Sequence, residues 1–118
     1  MGLDYHYDFA PRAIQQSVFR AQVQLACELR MPVVIHTREA DEDTLAVLKE
    51  AGAGPEHIAR MTWFVTSRDE YEASLRDIGA AWRELMGRVY PAMAVIIVSG
   101  LVERQAKVEI ETTAVVPR

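Results

Sequence analysis

The chain has 118 residues, half of them hydrophobic and a quarter charged, which fits one globular domain of ordinary composition. A domain of this length buries roughly two thirds of the surface its unfolded chain exposes, so a core is feasible. The formal net charge of −4 is mild and both signs are interspersed, so no basic stripe argues for nucleic acid and no polybasic run for an anionic membrane.

The single cysteine, Cys27, cannot form an internal disulfide and reads as a small buried hydrophobe among helix formers. The longest apolar runs fall far short of the ~20 residues of a membrane helix, and the N-terminus lacks the charged and apolar regions of a signal peptide. A soluble, cytoplasmic chain is expected.

In chain order, "GLDYHYDF" alternates weakly and reads as a short strand or an ordered arm. Pro11 opens a helix, since its missing N–H has no partner in a first turn anyway. Ile14, Val18, Ala21, Leu25 and Leu29 recur at helical spacing through residues 12 to 30 and predict its apolar face. After Pro32, "VVI" predicts a short β-branched strand buried on both faces. Asp41 or Asp43 can cap the next helix, with Leu45 and Leu48 inward, and Gly52 suits its left-handed end. "RMTWFVT" then predicts a strand, and "SRDE" (Ser67 to Glu70) is a capping box. Tyr71, Leu75, Ile78, Trp82 and Leu85 stripe the helix that follows, which Gly87 stops. "MAVIIVSGL" and "AKVEIETTAVV" predict two last strands. The second alternates Val108, Ile110, Thr112 and Ala114 against Glu109, Glu111 and Thr113.

From residue 33 the predicted order is β-α-β-α-β-β, preceded by an extra helix. The fold class is α/β (α+β), a mixed sheet within one domain over residues 1–118. Right-handed crossovers would put both later helices on one face, leaving the other to the N-terminal helix or to another subunit.

Two family resemblances rest on longer wording. Residues 2 to about 48, with "GLDYHYDFAPR" and "ELRMPVVIHTREA", resemble the TatD family of metal-dependent deoxyribonucleases. Residues 45 to 118, with "VLKEAGAGPEHIARMTWFVTSRDEY", "YPAM" and "VEIETTAVV", resemble the Rid (YjgF) family of small trimeric enamine/imine deaminases. They overlap at "LAVLKEAG", which implies a chimera, recombined or engineered, with a Rid-like, chorismate-mutase-like core. In it "VVIHT" would replace the strand that feeds the first core helix, and the helix before it is surplus.

The first resemblance implies a (β/α)-barrel fragment whose family holds two metal ions on His, Glu and Asp ligands. The family's His-x-His pair is absent, and its bridging glutamate would fall before Met1. Only His36 matches a ligand, while His6 and His57 read as isolated and exposed. Because a divalent ion needs several convergent donors, no metal and no nuclease activity are expected.

The second resemblance implies a cleft between subunits, with an arginine holding the substrate carboxylate and a glutamate positioning water. Met93 stands at the arginine's place and cannot pair a carboxylate, whereas Glu109 matches the glutamate, the one weak catalytic candidate. The family's N-terminal strands, with a tyrosine that lines the cleft, are replaced. No native catalysis is therefore expected, and no cofactor. The alternative is a residual Rid-like deaminase or a small-carboxylate binder at a subunit interface. The expected partner is the chain itself, homotrimer first and dimer second, with no nucleic acid and no membrane.

Overall fold

The computed structural model describes residues 1–7 and 9–115. Asp8 of the N-terminal motif and Val116 at the end of "VEIETTAVV" lie outside them. The chain divides into two compact units, Met1–Gly54 and Pro55–Arg118.

In the first unit, β1 (Gly2–Asp4) pairs in parallel with β2 (His36–Arg38), in the register Gly2↔His36 and Asp4↔Arg38. Between them runs α1 (Arg12–Leu29), and α2 (Asp41–Glu50) follows β2. The crossover helix is what allows two parallel strands to meet. The α1 helix ends where Arg30 adopts a left-handed conformation (φ 57°), with the Met31 N–H donating to the Ala26 carbonyl. Gly52 (φ 82°) ends α2 as expected.

The core here is Leu3, Phe19, Val23, Ala40 and Val47, with Tyr5, Ile35, Leu48 and Ala51 packed around it. This corrects the predicted helix face. Helix α1 carries two apolar stripes, and the small sheet with α2 covers the one bearing Phe19 and Val23. Gln15 and Gln16 share that side and bond to the Asp4 N–H and the Tyr5 hydroxyl. Ile14, Val18, Leu25 and Leu29 stay at least half exposed or nearly so, and Cys27 is exposed rather than buried.

Two neighbouring expectations are also corrected. In α2 the inward residues are Thr44 and Val47 with Leu48, while Leu45 is exposed. Its N-cap is Ala40, because Asp41 accepts from the Thr37 hydroxyl and Asp43 from Tyr5. Asp41, Glu42 and Asp43 still place negative charge at the helix's positive end. "VVI" is not a strand: Val34 is largely exposed, and pairing starts only at His36.

The second unit opens with a 3-10 turn at Pro55–His57 and contains β3 (Ile58–Val65), α3 (Arg68–Leu85), β4 (Ala92–Ile97) and β5 (Val108–Ala114). The sheet order is β4-β3-β5, with β4 parallel and β5 antiparallel to β3, so the mixed α/β class holds. The element order also matches the expected β-α-β-α-β-β. The pairing does not: β2 joins β1 in a sheet of its own instead of completing the later one. Three-residue β1 lies within reach of β2 across α1, and Leu3 at its centre is fully buried, which rewards that pairing.

The Ser67 hydroxyl caps α3 by accepting from the Glu70 N–H, and Gly87 (φ 60°) stops the segment after it. Trp82 of α3 lies 6.4 Å from Trp63 of β3, which places the helix over the face bearing Met61, Trp63 and Val65. Cross-strand pairs share a face, so Met93, Val95, Ile97, Val108, Ile110 and Thr112 lie on it too. Coverage is thin. Among the described residues, Val65 is the one buried apolar side chain of this unit, while Leu75 and Leu85 of the predicted helix stripe remain exposed.

Candidate functional site

Polar side chains converge at the ends of β1 and β2 because parallel pairing sets Asp4 beside Arg38 and brings His36 to the same edge. His36 Nε2 lies 3.0 Å from Asp4 Oδ2, and Arg38 Nε lies 3.9 Å from the same oxygen. Asp4 Oδ1 accepts from the His6 backbone N–H at 3.1 Å. Burial pushes the Asp4 carboxyl up, but the His36 and His6 hydrogen bonds and the Arg38 charge outweigh it. The group is held below its ordinary 3.8.

His6 Nδ1 lies 2.8 Å from Glu39 Oε1, so His6 is exposed but not isolated. Glu39 itself has a positive φ of 53°. His57 is half-buried rather than exposed, with Nε2 4.0 Å from Glu56. A cleft of about 200 Å³ beside Asp4 is lined by Tyr7, Phe9, Ala10 and Gln15. The Tyr7 and Phe9 rings stack there at 5.2 Å.

A metal pair needs donors converging on one point. Here each imidazole meets one carboxylate, and among the described residues no three His, Cys, Asp or Glu side chains are placed to hold an ion. The residues present do not fit a two-metal centre. The sequence points to His36 but not to Asp4 and Arg38 beside it, nor to Glu39 beside His6. Asp4 and His36 stand 32 residues apart and no local pattern joins them; only the β1–β2 pairing does.

Behind this edge, the Tyr5 hydroxyl donates to Asp43 Oδ2 at 2.7 Å, and Gln16 Nε2 donates to both at 2.9 Å. Burial and the Asp43 carboxylate push the Tyr5 phenol above its usual 10. This network ties β1, α1 and α2 together.

In the second unit, Met93 pairs with Met61 and Glu109 with Phe64. Met61 and Phe64 are three residues apart on one strand, so they point to opposite faces. Met93 and Glu109 therefore do too, and within one copy they cannot address the same small molecule. Glu109 sits on the face away from α3, in one row with Phe64 and Ile96 and next to the row of Thr62.

Comparison with known proteins gives a family match and a likeness of fold that overlap along the chain. The family model of TatD related DNases matches residues 1–99. The uncharacterized metal-dependent hydrolase YabD of Bacillus subtilis is 55% identical over 53 residues, covering 45% of this chain and 21% of that protein. The chain thus spans about a fifth of that relative's length. Among solved structures, HI0719, a hypothetical protein from Haemophilus influenzae, matches with a TM-score of 0.51 at 24% identity. The match covers 67% of this chain and 59% of that one. The YjgF gene product of E. coli matches with a TM-score of 0.50 at 23% identity, covering 85% and 65%. These two likenesses are of fold. Sequence of one family and a fold like that of Rid/YjgF proteins meet in one chain.

Proposed function

We propose, for a chain that belongs to the TatD related DNase family, that catalysis is lost and that its property is folding and self-association. In this reading it is a recombined chimera, TatD-like through about residue 48 and Rid-like from about residue 45.

The observation that carries the reading is the uncovered apolar surface of the second unit. Leu75, Leu85, Met93, Ile96, Ile97, Val108 and Ile110 are each more than two-fifths exposed. A large apolar side chain left in water forgoes ~1.5–3 kcal/mol of burial. A handful of them rivals the 5–15 kcal/mol of a typical small domain, so a partner that covers them is strongly favoured. The exposed face supports the homotrimer, which the sequence ranks first, and the exposed edges support the dimer, which it ranks second. Light scattering on a size-exclusion column tests the reading. A stable particle larger than one 13.3 kDa chain at micromolar concentration is expected, and a clean monomer refutes it.

Loss of catalysis is supported by His36 meeting a single carboxylate, Asp4, with no third His, Cys, Asp or Glu placed beside them among the described residues, and by Met93 at the arginine position. Its test is twofold: nicking of a plasmid with manganese, and ketone release from a 2-iminopropionate-type intermediate. Rates equal to buffer are expected in both. A second reading, a small-carboxylate binder between copies, is favoured by Glu109. Since Met93 and Glu109 face opposite ways, such a site needs one residue from each of two copies.

A further inference from the structure

We propose that two copies of the chain join edge to edge along β4, antiparallel about a twofold axis, so that their sheets run on as one. This rests on the self-association reading and names the surface it uses.

The sheet β4-β3-β5 has two outer strands. Among the described residues, no backbone hydrogen bond links β4 to anything except β3. In a parallel ladder, alternate residues turn both N–H and C=O away from the neighbour, so about half of the β4 groups point outward. An open row of this kind is a template for another strand, unless charge, proline or a bulge blunts it.

The two edges differ in that respect. Strand β4 reads Ala92-Met93-Ala94-Val95-Ile96-Ile97, without a charge or a proline, and its pairing with β3 is unbroken. Strand β5 carries Glu109 and Glu111, and its pairing with β3 has a register shift between Ile58 and Arg60.

A second copy is the occupant these residues select. A twofold axis normal to the sheet keeps the α3 face on the same side in both copies. Opposed residues must then share a face, so the axis passes beside a residue opposed to itself. Centring on Val95 sets Met93 against the second copy's Ile97 and Ala94 against its Ile96. Every cross-strand pair is then apolar. Pro91, which has no N–H, falls outside the ladder. The same operation on β5 centred at Glu111 opposes two carboxylates, and centring at Ile110 sets Glu109 against Glu111 twice. Like charges directly opposed destabilise a pair. Strand β5 is thus the edge blunted by charge and by a register shift, and β4 is the edge left open to a partner.

An edge contact of this kind makes the copy number even: two, or six if a threefold face contact is made as well. The test uses full-length Cys27→Ser protein carrying Val95→Cys. Opposed Cβ atoms in an antiparallel pair lie about 4.5–5.5 Å apart, close to the ~3.5–4.5 Å of a disulfide. Mild oxidation should convert most of the protein into a covalent dimer on a non-reducing gel. Thr112→Cys, placed on the β5 edge in the same background, should remain uncrosslinked. Ile96→Lys, with the native Cys27, should weaken association at least tenfold by sedimentation. A trimeric mass overturns the edge contact but leaves self-association standing, and a monomer overturns both. An even-numbered particle in which Val95→Cys does not crosslink and Ile96→Lys is neutral overturns the edge alone.

Discussion

The two stripes of α1 can be told apart by a pair of substitutions. Phe19 is fully buried against Leu3, Val23, Ala40 and Val47, so Phe19→Ala removes a large side chain from the centre of the first unit. Such truncations cost about 3–5 kcal/mol, combining lost transfer energy with the cavity left behind. For a chain of this size that is a fall in Tm of roughly 10–20 °C. Leu25, by contrast, is 53% exposed on the other stripe. Leu25→Asp should change stability by under about 1 kcal/mol, as substitutions outside the core do. Urea unfolding followed by far-ultraviolet circular dichroism measures both. If Leu25→Asp unfolds the chain while Phe19→Ala is tolerated, the Ile14-to-Leu29 face is the buried one and packing of Phe19 against Leu3 and Val47 is refuted.

Gly2→Ala should disrupt the first unit, because Gly2 has φ 149° and an added Cβ would collide with the His36 carbonyl oxygen. Loss of hydrogen-exchange protection across residues 2–4 and 36–38 is the expected readout. Asp4 sets an acid limit. Its folded pKa lies below 3.8, so its contribution is present above that value and is lost as pH falls through the lower folded one. Urea midpoints should drop with pH below about 4 in the native chain, and Asp4→Asn should flatten that dependence. Tyr5→Phe removes the hydroxyl that Asp43 and Gln16 share, which should cost about 1.5–3 kcal/mol by urea unfolding, as for hydrogen bonds to charged groups. Met93→Arg should raise small-carboxylate affinity only where a second copy supplies the facing Glu109, so calorimetric titration should show no gain in a monomeric variant.

Much of the local structure was legible in the amino-acid order. The helix spans, the Ser67 cap, the left-handed Gly52 and the alternation of β5 all follow from contacts a few residues long. Chain-local chemistry determines them whatever surrounds the segment. His36, Met93 and Glu109 are singled out by wording alone.

What sequence could not decide is which surfaces meet. Helix α1 carries a longer apolar stripe from Ile14 to Leu29 and a shorter one with Phe19 and Val23, and only the presence of β1, β2 and α2 selects the shorter. The pairing of β2 with β1 depends on Leu3, 34 residues before Thr37, finding a buried place between two helices. The Asp4–His36 contact exists only because that register exists. The opposite facing of Met93 and Glu109 is a product of strand register as well, since a shift of one residue would turn either side chain to the other face. Local propensity is a property of short segments, whereas register and buried face are settled by competition among distant ones, and that competition is resolved only in three dimensions.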